Sequence, residues 1–125
     1  MTTLRSTSIL LGTTDPERLR AFYERAFDLT ASEGWMQLGT IGLLIDGRDD
    51  ISARNSEPGR VVLTVDTDDA HAIVQRLNDM GVRWVCELEE RLDGLFSTFE
   101  DPDGNLVQVL QMNEQYFARM RAAWA

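Results

Sequence analysis

The succession of elements occurs twice, and this limits the possible folds more than any other feature. A strand-like run, a capped amphipathic helix and further strand-like runs appear, then appear again, within 125 residues. In the first half, STSILLGT (6–13) alternates with period two. Ile9 and Leu11 share one face; Ser8, Leu10 and Gly12 share the other. A helix follows, with Thr14 or Asp15 as cap and Pro16 in the first turn, where a missing N–H is harmless. Leu19, Phe22, Tyr23, Ala26 and Phe27 form its apolar stripe. GWMQLG (34–39) and IGLLID (41–46) are short strand-like pieces. Residues 47–59 are polar, aperiodic and rich in turn formers, hence a loop.

In the second half, RVVLTVD (60–66) reads as a strand with Val61, Leu63 and Val65 on one face. The next helix has Thr67 as its expected cap, Ala70, Ile73, Val74 and Leu77 as its stripe, and Gly81 as its stop. Residues 82–90, 95–100 and 105–111 read as three strands, the last two joined by the turn Asp101-Pro102-Asp103-Gly104. The tail, 113–124, reads as an amphipathic helix with Tyr116, Met120 and Trp124 on one side.

Each half therefore reads as strand, helix and about three strands. The expected fold is α+β: two βαβββ modules forming a curved mixed sheet, helices on the convex face and a cleft on the concave face. The expected boundaries within one domain, 1–125, are module one at about 5–46, linker 47–59, module two at about 60–111 and a C-terminal helix at about 113–124.

Composition narrows the partners. Twelve basic residues, all Arg, oppose twenty-one acidic ones, for a net charge of −9. An acidic surface repels phosphate backbones and anionic lipid, so neither nucleic acid nor membrane is an expected partner. A single cysteine, Cys86, excludes an intrachain disulfide and a cysteine-based metal cluster. No apolar run reaches the roughly 20 residues of a bilayer span, and the N-terminus has too short an apolar run for a signal peptide. A cytoplasmic location is expected.

Three stretches, TTDPERLRAFYERAFDL, VDTDDAHAIVQRLNDMGV and FEDPDGNLVQV, together resemble the vicinal oxygen chelate superfamily, which includes glyoxalase I, bleomycin-resistance proteins and extradiol dioxygenases. They occur in the family's order and cover almost the whole chain. The resemblance implies the glyoxalase/bleomycin resistance fold. It also implies that metal-dependent members place ligands on the first strand, on the strand opening the second module and on the last strand. Those positions fall here at Ser8, near Arg60 and at Gln108. Alternation puts all three on the faces opposite the helices.

This set does not suit a divalent ion, which takes imidazole nitrogens and carboxylate oxygens. Arg60 has no lone pair and a fixed positive charge, and Ser8 and Gln108 are neutral, weak ligands. The sole histidine, His71, lies off the apolar stripe of the second helix and is expected to face solvent. Cys86 reads as an inert thiol, and Glu87, Glu89 and Glu90 as a solvated strand end. No phosphate-binding glycine loop is present. No metal and no cofactor are expected.

A metal-free cleft would be lined by Ser8, Trp35, Gln37, Arg60, Val62, Thr64, Trp84, Phe96, Gln108 and Leu110. Aromatic faces with a few hydrogen-bonding groups suit a small molecule, stacked or cationic. The expectation is a metal-independent binding protein, closest in kind to metal-free bleomycin-resistance-like members, sequestering an aromatic or cationic antibiotic. The alternative is an enzyme of the same fold, a lyase, isomerase or dioxygenase with an atypical metal site. A third reading is an accessory protein that works through its C-terminal helix. The resemblance also implies a homodimer.

Overall fold

The computed structural model describes residues 2–124. The elements run β1 (Ser8–Thr13), α1 (Pro16–Phe27), β2 (Trp35–Leu38), β3 (Ile41–Gly47), β4 (Leu63–Asp66), α2 (Ala70–Asp79), β5 (Arg83–Arg91), β6 (Gly94–Glu100), β7 (Leu106–Met112) and α3 (Glu114–Ala123). Two mixed sheets and three helices make the fold α+β, as the repeated pattern implies. Contacts divide the chain into two units, residues 1–57 with 102–104, and 58–101 with 105–125. No helix among the described residues is long and apolar enough to cross a membrane.

The first unit is βαββ, with two strands after its helix. Its sheet has the order β1-β3-β2, with β1 parallel and β2 antiparallel to β3. Asp15 caps α1, its carboxylate accepting from the Arg18 N–H at 3.2 Å, and Pro16 follows at the first helical position. Leu19, Tyr23 and Ala26 of the helix are buried, as are Met36, Leu38, Leu43 and Ile45 of the sheet. Each such large side chain contributes roughly 1.5–3 kcal/mol by leaving water. A third strand does not form because residues 48–57 are held otherwise. The Asn55 N–H donates to the Asp103 carbonyl at 2.8 Å. The Asp103 carboxylate, 7% exposed, accepts from Arg18 at 2.8 Å. The Arg54 guanidinium lies where a Cβ on Gly104 would be, 2.9 Å away, and Gly104 has φ +81°. The positive φ is what favours glycine there, since the end of the Arg54 side chain could move aside.

The second unit is βαβββ with the order β4-β7-β6-β5 and β4 parallel to β7. Leu63, Ala70, Leu77, Phe99, Val107 and Val109 are its buried apolar core. The β6–β7 connection is closed by Asp101, whose two carboxylate oxygens accept from the Asn105 backbone and side chain at 3.0 and 2.8 Å. Gly94, at φ +138°, opens β6 where a Cβ would run into the Gln111 carbonyl oxygen. Asn113 caps α3, and Arg119 of that helix pairs with Asp93. Tyr116 and Met120 are half-buried, while Trp124 is exposed.

Three local expectations are corrected. The strand read over 60–66 begins at Leu63, opposite Val107; the parallel partner starts at Leu106, after the turn, so Arg60 and Val61 have no strand residue to pair with. Arg60 lies instead in a single 3-10 turn, Pro58–Arg60, and Val61 is exposed. The cap of α2 is Asp69, which accepts from the Ala72 N–H at 3.1 Å; Thr67 supports it by accepting from the Asp69 N–H at 3.2 Å.

Candidate functional site

The face of each sheet turned away from its helix carries the hydrogen-bonding side chains. In the second sheet these form two rows across the strands. The first is Thr64, Gln108, Thr98 and Cys86; the second is Asp66, Leu110, Phe96 and Glu89. Gln108 is gripped at both ends of its amide. Its oxygen accepts from the Thr64 hydroxyl at 3.2 Å, and its nitrogen donates to the Thr98 hydroxyl at 3.4 Å. Leu110 is almost fully buried.

Arg91 lies beside this row. Its guanidinium sits 4.7 Å from the centre of the Phe96 ring, within cation–π range. It also pairs with Glu89 and donates to the Cys86 sulfur at 3.8 Å. The hydrogen bond to Glu89 holds Arg91 above its ordinary arginine value, so it stays charged. A cationic ligand over Phe96 would therefore meet a resident cation; a neutral planar one would only have to share the ring.

In the first sheet the open face has the rows Ser8–Gly42–Gln37 and Leu10–Leu44–Trp35. Gly42 leaves room in the middle. A Cβ there would lie 3.3 Å from the six-membered ring of Trp35, so the indole rests on the strand backbone. A groove of about 420 Å³ runs beside it, lined by Trp35, Gln37, Gly42 and several Ser and Thr residues. A second concavity, of about 590 Å³, lies over Gly47–Asp50. There Arg48 is already paired with Asp46 and Asp50 at 3.1 and 2.7 Å.

Of the residues read from the sequence, Ser8, Trp35 and Gln37 share the open face of the first sheet, and Thr64, Phe96, Gln108 and Leu110 that of the second. Val62 precedes β4 and is half-buried, and Arg60 stands outside the ladder. Trp84 is corrected. It pairs with Phe99 on the helix side, its ring edge-on to Phe99 at 5.8 Å and its N–H donating to Asn78 of α2 at 2.8 Å. The cause is a register shift between Trp84 and Cys86 and another between Cys86 and Glu89, which break strict alternation along β5. The same shifts put Cys86, half-buried, on the open face, opposite to that of Trp84. Thr98 was legible in principle, two residues from Phe96 on a regular strand; Arg91, beyond both shifts, was not.

The donor set does not fit a divalent ion. Ser8, Arg60 and Gln108 offer a hydroxyl, a cation and an amide already engaged on both sides. Among the described residues, no three His, Cys, Asp or Glu side chains group as metal ligands, and His71 is exposed on α2.

A family model described as Glyoxalase/Bleomycin resistance protein/Dioxygenase superfamily matches residues 5–109. The chain belongs to this superfamily. No curated protein matches it in sequence. Solved structures of similar fold include the fosfomycin resistance protein FosX from Mesorhizobium loti, at 15% identity and TM-score 0.71 over 94% of this chain and 99% of that one. TnmS3, an antibiotic binding protein from Streptomyces sp. CB03234, is 25% identical with TM-score 0.67, over 90% and 99%. TioX from Micromonospora sp. ML1 is 17% identical with TM-score 0.63, over 87% and 99%. The βαβββ unit of the glyoxalase/bleomycin resistance superfamily is thus complete in the second half of this chain and one strand shorter in the first.

Proposed function

We propose that this chain is a metal-independent small-molecule binding protein that sequesters an aromatic antibiotic. The observation that carries the reading is Gln108, at the position where metal-dependent relatives are expected to hold a carboxylate. Both ends of its amide lie within hydrogen-bonding distance of Thr64 and Thr98, which supports a neutral hydrogen-bonding row over a metal ligand. Of the aromatic and cationic ligands considered from the sequence, Arg91 over Phe96 favours the aromatic one. The description of TnmS3 as an antibiotic binding protein supports the same class.

The test is a titration of tryptophan fluorescence with a panel of aromatic antibiotics, together with elemental analysis of protein purified without chelator. Saturable quenching by at least one compound and substoichiometric metal are expected. A stoichiometric transition metal would favour an enzyme of this fold instead. The reading includes a homodimer in the cytoplasm; a monomer mass by light scattering would remove the dimer.

A further inference from the structure

The groove beside Trp35 has a chemistry distinct from the row around Gln108. Ser6, Thr7, Thr30, Ser32 and Thr40, five hydroxyl-bearing residues, are among those that line it, and no ionisable residue is. All five residues are exposed, and none of the five hydroxyls bonds to another described residue, so each remains able to donate and to accept. The indole of Trp35 lies with one side against Gly42 and is 44% exposed overall. Lying on backbone, it loses little freedom when a ligand covers it. In a chain of net charge −9, an uncharged groove is a selective feature: it offers a charged group no partner.

An aromatic face is electron-rich and attracts the slightly positive C–H groups on one side of a saturated ring. Hydroxyls that both donate and accept match a ligand whose own hydroxyls do the same. A flat aromatic ligand would use the indole and leave the five hydroxyls idle. A charged one would find no counter-charge. We propose that this groove takes an uncharged, polyhydroxylated saturated ring, a sugar or sugar-like substituent, laid against Trp35. This deepens the binding reading and rests on it: it names a sugar part of the ligand and the side chains of the first unit that recognise it.

The test measures, by calorimetry, glycosylated aromatic antibiotics, each against its own aglycone, with the methyl glycoside of the same sugar as a third probe. Each glycoside should bind about tenfold tighter than its aglycone, the value of one or two added hydrogen bonds. That advantage should collapse in Gly42→Ala, which crowds the indole but keeps it, and in the exposed pair Ser32→Ala with Thr40→Val. Millimolar methyl glycoside should also shift the Trp35 indole N–H resonance. If glycoside and aglycone bind equally, or the advantage survives both variants, this inference is overturned while antibiotic binding stands. If only the free methyl glycoside binds, the sugar chemistry holds and the attached aromatic part is wrong. If neither glycoside, aglycone nor methyl glycoside binds, both readings fall together.

Discussion

Gln108 carries the functional argument because its amide is already committed. Replacing it by Glu puts an anion between two hydroxyls: Thr64 and Thr98 can both donate to it, but no imidazole or second carboxylate joins it. Gln108→Glu is therefore expected to remain folded and to take up no stoichiometric zinc or manganese in equilibrium dialysis; tight uptake would mean that the ligand positions are misplaced. Gly94 is a second position where one atom decides. Its φ of +138° and the Gln111 carbonyl in the Cβ direction leave no room for a side chain. Gly94→Ala should lower stability by roughly 2 kcal/mol or more in urea unfolding. At this scale period two read Gln108 and Thr64 correctly, because β4 and β7 pair without a slip. It failed for Trp84 because a bulge depends on a neighbouring strand that no local pattern describes.

Among the elements, helices were the most legible, since caps and stripes are local. Even so, the cap expected for α2 was Thr67, and the backbone uses Asp69 two residues later, with Thr67 bracing it. Asp69→Ala should cost about 1 kcal/mol by thermal unfolding, and Thr67→Val less. The limits of β4 were not legible, because a strand ends where its partner ends. Helix α3 has no buried residue and is tied down at Asp93 by Arg119. That hydrogen bond holds the Asp93 carboxyl below its ordinary value of 3.8. The sign follows: the pair contributes its full stability above about pH 3.8 and loses it as pH falls through the lower folded value. Amide exchange in α3 should therefore accelerate in strong acid before the rest of the second unit opens, and Asp93→Asn should accelerate it at neutral pH.

For the molecule as a whole, the repeated pattern was enough to indicate an α+β fold of two strand–helix–strand modules, expected to form one curved mixed sheet where the structure has a three-stranded and a four-stranded one, and the family model matches over residues 5–109. What it did not indicate was the unequal length of the repeats, which depends on the loop of residues 48–57 being held at Asp103 and Gly104. Asp103→Ala removes the carboxylate that pairs with Arg18 but keeps the carbonyl that holds Asn55: stability should fall by roughly 1–2 kcal/mol in urea unfolding, since Arg18 is half-exposed, while the Asn55 amide stays protected from exchange. The two slips in β5 have a consequence for how this chain can change length. Between Trp84 and Cys86 the strand holds one residue more than β6 needs, and Val85, 59% exposed, stands in that interval. Removing Val85 would leave Trp84 opposite Phe99 and Cys86 opposite Thr98, with every downstream pairing unmoved. A codon lost at this point should thus yield a folded protein, whereas one lost from β7 would turn Gln108 and its neighbours to the opposite face. The edge strand is where this lineage can gain or lose a residue without rewriting the rest.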